Sequence, residues 1–415
     1  MPGLSPEITV NQAVTTPADP PRQGSVRGLY LHLPFCFHKC HYCDFFSVIE
    51  NGTDRQPAFT DTLIRELEHY AEAGRLRPET VFVGGGTPTL LRSELWDRLL
   101  SAMDRLGVLE AVEEFTVEAN PETVTRELMD RLAAGVVNRV SIGAQSFDTG
   151  LLRVLDRRHN PDSVGRAAEV CRASGITNIS LDLIFAVPGQ CPDRLQRDLD
   201  AALAIGPDHL STYGLTYEPR TALTARLKAG QITPVAEDDE RRLYAALIDR
   251  LQGEGFVQYE VSNWARPSGG SDALATCRHN LLYWTNADWI GLGPSAASHC
   301  SGHRWRNVPN LASYLQGAEP VADGWDGWSP PTEDHETLGE DDRIGEHLML
   351  GLRLRRGVPR PWIDRHLEPG GRRDEEVREL IGIGMLEWSG PGDDEHLRLT
   401  DAGLFVADSV LARLL

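Results

Sequence analysis

Short apolar runs alternate with longer segments of helical period from residue 29 to about residue 215. Such alternation is typical of βαβ units, which build a parallel sheet. The predicted strands are residues 29–33, 81–83, 114–119, 139–144, 179–186 and 209–215. The predicted helices include residues 59–74, 93–107, 125–135 and 164–175, and several end on a glycine that suits a helix C-terminus. The pattern therefore predicts an α/β fold with six strands in a partial (β/α)6 barrel.

The alternation weakens after residue 216, and we interpret residues 26–312 as the barrel with a C-terminal extension. Residues 313–342 include an acidic stretch rich in proline and glycine, which predicts a linker or surface loop. Residues 343–415 predict a smaller helical domain that ends in the order helix, strand, tight turn, strand, helix, a winged-helix-like arrangement. Acidic residues outnumber basic ones at that end, which favours packing or partner docking over DNA binding. Residues 1–25 predict a disordered, polar tail.

The charge and the apolar content of the sequence limit the kinds of partner that the protein can bind. The formal net charge of -20 argues against a nucleic-acid partner, because phosphate binding draws on clustered lysine and arginine. The sequence contains no apolar run of the roughly 18 residues that a membrane-spanning helix needs. The N-terminal region also lacks the basic and apolar parts of a secretory signal. We therefore expect a cytoplasmic protein whose partners are small molecules or other proteins.

Three of the seven cysteines, Cys36, Cys40 and Cys43, lie within eight residues in the segment CFHKCHYC. Three thiolates on so short a loop can each hold one iron of a 4Fe-4S cluster and leave the fourth iron without a protein ligand. The amino and carboxylate groups of S-adenosylmethionine (SAM) can chelate that iron, and one electron passed to the sulfonium then breaks a C–S bond. The spacing therefore predicts a cluster site with an open corner.

Zinc is the alternative metal, and a nearby histidine would then supply the fourth ligand. Zinc sites usually combine two CxxC-like pairs, and the sequence has no second pair. The histidines that would serve are His32, His38 and His41. Among the scattered cysteines, Cys171 and Cys191 are expected to be small buried hydrophobic residues.

Distinctive segments follow the predicted strands at their carboxyl ends, where barrels of this type carry reactive residues. Residues 84–88 (GGGTP) follow the second strand, and their glycines let the backbone approach a ligand closely. Polar side chains at or near the ends of later strands can bind an amino group, ribose hydroxyls or a carboxylate. They are Glu118, Gln145, Arg157 and Asp182. Each alone is more often a turn, a helix cap or a surface residue, but after the cysteine loop they predict a SAM site.

The segment RHNLLYW places His279, Asn280, Tyr283 and Trp284 together, with Cys277 two residues upstream. A lone histidine in a loop is more often structural. An imidazole beside two aromatic rings nevertheless offers an axial ligand and flat walls for a macrocycle such as haem. We therefore predict His279 as a haem ligand. In the alternative, His279 supports the barrel mouth and haem is held elsewhere or through Cys277 or Cys300.

The ordered segments YLHLPFCFHKCHYCDF, GGGTPT, VEANP, SIGAQSF, DLIFAVPGQ, YEVSNWA, RHNLLYW and GLGPSAAS resemble the oxygen-independent coproporphyrinogen III oxidase superfamily of radical SAM proteins. The resemblance covers roughly residues 28–312. It implies that a set of barrel residues contacts SAM, namely Tyr30, Gly85, Gly86, Thr87, Glu118, Gln145, Arg157 and Asp182. The chain departs from the pattern at Ala186, where relatives often have glycine, and we expect this to perturb packing and leave the site in place.

Within that superfamily, Phe45 indicates the haem-chaperone branch, because the oxidases carry a further cysteine at this position. The resemblance then implies a carrier that holds a 4Fe-4S cluster, SAM and haem as cargo. Its implied partners are an electron donor and haem-acceptor proteins such as respiratory enzymes, with membrane contact through those partners and a homodimer as one assembly. The alternative is an enzyme, the oxidase that decarboxylates coproporphyrinogen III to protoporphyrinogen IX.

Overall fold

The computed structural model describes residues 26–49, 54–72, 76–267, 273–317 and 329–415. The predicted N-terminal tail lies outside the described residues, as does the central part of the predicted acidic linker.

The strands are numbered in chain order, and most are short. They are β1 (Val26–Leu33), β2 (Phe35–Cys36), β3 (Val48–Ile49), β4 (Leu76–Gly85), β5 (Glu114–Ala119), β6 (Arg139–Gln145), β7 (Asn178–Phe185), β8 (His209–Gly214), β9 (Val257–Gln258), β10 (Asn263–Ala265), β11 (Trp289–Leu292), β12 (Ala297–Cys300), β13 (His303–Asn307), β14 (Thr332–Thr337), β15 (Val358–Pro359), β16 (Leu386–Ser389) and β17 (His396–Leu399).

The α-helices follow the same numbering. They are α1 (Gln56–Glu72), α2 (Ser93–Arg105), α3 (Arg126–Ala134), α4 (Thr149–Leu155), α5 (Asp162–Ala173), α6 (Pro192–Ile205), α7 (Ala222–Lys228), α8 (Glu237–Gly253), α9 (Arg278–Trp284), α10 (Leu311–Gln316), α11 (Glu340–Gly351), α12 (Arg360–His366), α13 (Arg372–Gly382), α14 (Asp401–Leu404) and α15 (Ala407–Ala412). Short 3-10 turns cover Pro88–Leu90, Pro121–Thr123 and Gly392–Asp394. Every helix in the described ranges is too short or too polar to cross a bilayer.

A mixed sheet runs through the larger part of the molecule in the order β14-β13-β12-β11-β1-β4-β5-β6-β7-β8-β10-β9. Strands β11, β1 and β4 to β8 are parallel to one another, whereas β12 to β14 and β9 to β10 continue the two edges as antiparallel strands. The six predicted strands correspond to β1 and β4 to β8. Strand β11 was not predicted, because it has four residues and follows a long segment without clear alternation.

The acidic segment that was predicted as a linker or loop contains an edge strand instead. Residues 332–337 form β14, which pairs with β13. Arg306 on β13 forms ion pairs with Glu333 and Asp334 at 2.7 Å each, and Arg304 pairs with Glu336 at 3.4 Å. The acidic side chains thus have basic partners on the adjacent strand, which favours pairing over an exposed loop.

The C-terminal region has a separate apolar core, built from α11 to α13, α15 and the sheet β15-β17-β16. Helix α13, strands β16 and β17 and helices α14 and α15 follow one another in the predicted order. This region touches the barrel extension through Arg353, whose guanidinium lies 4.8 Å from the ring centroid of Trp284. Glu346 also accepts a hydrogen bond from Asn286 Nδ2 at 3.1 Å.

Of the two scattered cysteines that were expected to be buried, Cys171 is buried and Cys191 is exposed. The expectation for Cys191 is wrong because this residue precedes α6 and caps its N-terminus with its backbone, outside the apolar face of the helix.

Ala186 has a φ of 59° and therefore lies in the left-handed region that disfavours a Cβ atom. It is buried at the carboxyl end of β7 with 4% exposure. A glycine would adopt this backbone conformation without strain. The departure from the family pattern thus costs conformational energy at a turn beside the site.

We predict that Ala186→Gly raises the free energy of unfolding by about 0.5–1 kcal/mol, because relief of left-handed strain exceeds the added entropy of the unfolded glycine chain. Urea denaturation measures the change. The control is Ala102→Gly inside α2, which should lower the same free energy by about 1 kcal/mol. Destabilisation by Ala186→Gly would contradict the strain assignment.

Candidate functional site

One cavity collects the predicted site residues at the carboxyl edge of the parallel strands, and its volume is about 1290 Å³. Parallel strands open their carboxyl ends on one edge of a sheet, so the residues that follow them meet there. The predicted residues that line the cavity are Tyr30, Cys36, Cys40, Cys43, Gly85, Gly86, Thr87, Glu118, Gln145, Arg157 and Asp182. His279 is not among the lining residues.

Backbone hydrogen bonds hold the start of the cysteine loop to the glycine segment that ends β4. Gly86 N–H donates to Leu33 O and Thr87 N–H donates to Phe35 O, both at 2.8 Å. A Cβ atom at Gly86 would lie 2.7 Å from Phe35 O, so the approach of the two backbones requires glycine. These two N–H groups, which the sequence suggested for a ligand, therefore fix the protein's own loop.

The loop histidines are engaged by hydrogen bonds to other residues. His38 Nε2 lies 2.7 Å and His41 Nε2 lies 3.3 Å from Asp156 Oδ2. His32 contacts Tyr30 OH through Nδ1 at 3.0 Å and Phe46 O through Nε2 at 2.8 Å. A zinc ion would have to break one of the two His32 contacts to gain that imidazole as a ligand.

No three His, Cys, Asp or Glu side chains within the described ranges surround one point closely enough to hold a single metal ion. A cubane cluster does not need such convergence, because each thiolate binds a different iron. The three cysteines share one cavity wall with the ligand-facing ends of β4 to β7. The donor set therefore fits a 4Fe-4S cluster better than a mononuclear site.

The surroundings of the sulfur atoms are partly polar. Cys36 Sγ lies 3.7 Å from Thr87 Oγ1, and Arg157 Nη1 donates to Cys40 Sγ at 3.8 Å. Burial raises the pKa of the Cys36 thiol and raises that of Cys43 to about 11. Without a bound metal these two thiols are neutral at pH 7, so deprotonation accompanies metal binding.

Two carboxylates, Glu118 and Asp182, line the cavity close enough for their charges to repel each other. Burial, followed by the charge of Asp182, raises the pKa of Glu118 to about 8. Burial also raises the pKa of Asp182, which accepts a hydrogen bond from Ser141 Oγ at 2.9 Å. A Cβ atom at Gly84 would lie 2.8 Å from Glu118 Oε2, so this glycine makes room for the carboxylate. The pair suits a ligand that brings a positive charge or several hydrogen-bond donors.

A bulge near the end of β6 directs Gln145 and Arg157 toward the same wall. The register between β6 and β7 shifts between Gly143 and Gln145, and Gln145 has a left-handed φ of 63°. Arg157 Nη2 donates to Gly143 O at 2.9 Å. A Cβ atom at Gly143 would lie 2.8 Å from Gln145 Nε2, so the small residue at the bulge admits both side chains.

The RHNLLYW segment forms helix α9, whose N-terminus is capped by a carboxylate from β5. Glu114 accepts hydrogen bonds from the backbone N–H groups of Arg278 at 2.8 Å and His279 at 3.0 Å. This anchor brings Tyr283 and Trp284, at the other end of the helix, into the cavity wall.

His279 itself lies in the protein interior with 1% exposure. Its Nδ1 contacts Thr80 Oγ1 at 2.7 Å and its Nε2 contacts Tyr283 OH at 2.9 Å. Both ring nitrogens are therefore occupied, and this placement does not support the predicted haem ligation by His279. The sequence showed an imidazole near aromatic rings, but it did not show that His279 faces inward from the first turn of α9.

Other residues line the cavity that the sequence did not single out. They include His159, Tyr213, Trp289 and Arg304. His159 lies two residues after the predicted site residue Arg157, and this proximity in sequence could have identified it as a candidate lining residue. Trp289 and Arg304 reach the cavity only because β11 to β13 extend the sheet past β1.

Known proteins resemble this chain along most of its length. Residues 30–202 match the radical SAM superfamily. Heme chaperone HemW of Mycobacterium tuberculosis is 36% identical over 405 residues, which cover 97% of this chain and 98% of that protein. Heme chaperone HemW of Lactococcus lactis is 33% identical over 393 residues, which cover 93% of this chain and 96% of that protein.

A solved structure shares the fold. Coproporphyrinogen III oxidase (HemN) from Escherichia coli, a radical SAM enzyme, superposes with a TM-score of 0.75 at 20% identity, over 95% of this chain and 91% of that chain. The predicted α/β architecture is thereby confirmed.

Proposed function

The chain belongs to the HemW family of radical SAM proteins, and from this membership we propose that it is a haem chaperone. In this proposal it binds haem beside a SAM-ligated 4Fe-4S cluster and delivers the haem to acceptor proteins such as respiratory enzymes. The observation that carries the proposal is a single cavity that joins a three-cysteine wall to an aromatic wall. The names of the relatives in Mycobacterium tuberculosis and Lactococcus lactis support haem as the cargo.

Cys36, Cys40 and Cys43 would hold the cluster, because their thiols line the cavity within one loop. With SAM bound, such a cluster supplies one-electron chemistry at its open iron. Thr87 and Arg157 would hydrogen-bond the ligating sulfurs, as they already contact Cys36 and Cys40. These contacts place positive charge and a hydroxyl group beside the thiolates.

The remaining lining residues would bind SAM from several strands. Glu118 and Asp182 are suited to accept hydrogen bonds from its amino group or its ribose hydroxyls, since each carboxylate projects into the cavity. Gln145, at the end of β6, and Arg157, which follows α4, would bind its polar groups. Gly85 would let its backbone lie close to SAM. Tyr30 lines the same cavity from β1.

Haem would lie against the aromatic end of the cavity, which Tyr283, Trp284 and Trp289 line. The indole N–H of Trp284 is buried and has no acceptor within the described ranges. A haem propionate is an anionic acceptor that would satisfy it. His279 would then act as a positioning residue, because its Nε2 contacts the hydroxyl group of Tyr283.

The oxidase is the alternative function, supported by the shared fold with the Escherichia coli enzyme. Both functions can be tested on one anaerobically reconstituted sample. We expect haem titration to give a saturable Soret band, and we expect incubation with coproporphyrinogen III, SAM and a reductant to give no protoporphyrinogen IX. Protoporphyrinogen IX produced at a catalytic rate would contradict the chaperone proposal.

Two matched variants test the haem wall. Trp284→Ala is expected to weaken haem binding by about tenfold, because it removes an aromatic face and an N–H donor from the cavity. His279→Ala is expected to keep the Soret maximum unchanged and to weaken haem binding less than Trp284→Ala, because its imidazole supports Tyr283 from the interior and is no iron ligand. Iron content provides the control for cluster loading. Loss of the Soret band in His279→Ala, with Trp284→Ala unaffected, would return His279 to the haem site.

A further inference from the structure

His159 is a buried imidazole in the cavity wall that the site described so far does not use. Its exposed fraction is 6%, and it lines the cavity. Neither ring nitrogen has a hydrogen-bond partner within the described ranges. A buried polar group without a partner loses hydration on folding, so a bound molecule that supplies the missing hydrogen bonds would gain affinity.

The neighbours of His159 leave its ring available. Glu122 is the nearby carboxylate, but its Oε1 already accepts hydrogen bonds from Asn160 N–H at 2.9 Å and from Ser163 Oγ–H. Burial, followed by the positive charge of Arg157, lowers the pKa of His159 to about 4. The imidazole is therefore neutral at pH 7 and presents one N–H donor and one nitrogen acceptor.

Arg157 connects His159 with the cysteine loop. It donates to Cys40 Sγ at 3.8 Å, and its charge also acts on the imidazole two residues further along the chain. Arg157 and His159 line the same cavity as the cysteine loop, which leaves His159 available to the remote end of a ligand whose amino-acid end is bound at the open iron. In SAM that remote end is the adenosyl group, whose hydroxyls, amino group and ring nitrogens offer both donors and acceptors.

We propose that His159 binds the adenosyl group of SAM through hydrogen bonds from its neutral imidazole. This assignment rests on the proposed function, because it takes SAM as the ligand of the cavity. In this proposal His159 contributes to the affinity for the nucleoside end of SAM and does not contact the amino-acid end.

The test separates the two ends of the ligand. Isothermal titration of the anaerobically reconstituted protein is carried out with SAM, with 5′-deoxyadenosine in the presence of methionine, and with methionine alone. We expect His159→Ala to weaken SAM and 5′-deoxyadenosine by about tenfold and to leave methionine unchanged, as expected for the loss of a hydrogen bond. His159→Gln, which keeps a donor and an acceptor, should recover part of the loss.

The control variant is His335→Ala, which removes an exposed imidazole from β14, and thermal unfolding and iron content report on folding and cluster loading. Unchanged affinity for SAM in His159→Ala would overturn the assignment. An equal loss for all three probes would overturn it as well, because it would indicate a structural role. If the wild-type protein does not bind SAM, the proposed function fails, and the role of His159 fails with it.

Discussion

The contact between the end of β4 and the start of the cysteine loop is the constraint on which the site depends. Gly86 and Thr87 donate backbone hydrogen bonds to Leu33 and Phe35, and a side chain at Gly86 would overlap the loop backbone. The loop therefore has one position relative to the parallel strands. Since Thr87 also contacts Cys36 Sγ at 3.7 Å, the same segment sets the backbone and the polarity around a sulfur atom.

Below the cavity, a second set of buried polar contacts ties the aromatic wall to the sheet. Glu114 caps α9, and His279 contacts Thr80 on β4 and Tyr283 on α9. Arg139 is buried with 2% exposure, and the nearby negative charge of Glu114 favours its charged guanidinium. A helix of seven residues has little stability of its own, so these contacts are what hold Tyr283 and Trp284 in the cavity wall.

Most features that could be predicted from the sequence are patterns of residues close together along the chain. The cysteine loop, the glycine segment and the strand β5, whose observed bounds equal the predicted ones, are contiguous patterns. The side of α9 that faces inward, the pairing of β14 with β13 and the burial of His159 depend on contacts between segments distant in sequence. The RHNLLYW segment does line the cavity through Tyr283 and Trp284, but the contact of the His279 ring with Thr80, which lies 199 residues away, could not be read from the local pattern.

We propose that the three cysteines hold a cluster with one open iron inside this cavity, next to the residues proposed to bind SAM. Mössbauer spectroscopy of anaerobically reconstituted, 57Fe-labelled protein tests it most directly. We expect four irons per chain, of which one changes its isomer shift when SAM is added and three do not. A spectrum that SAM leaves unchanged, or a chain that binds zinc and no iron after reconstitution, would contradict it.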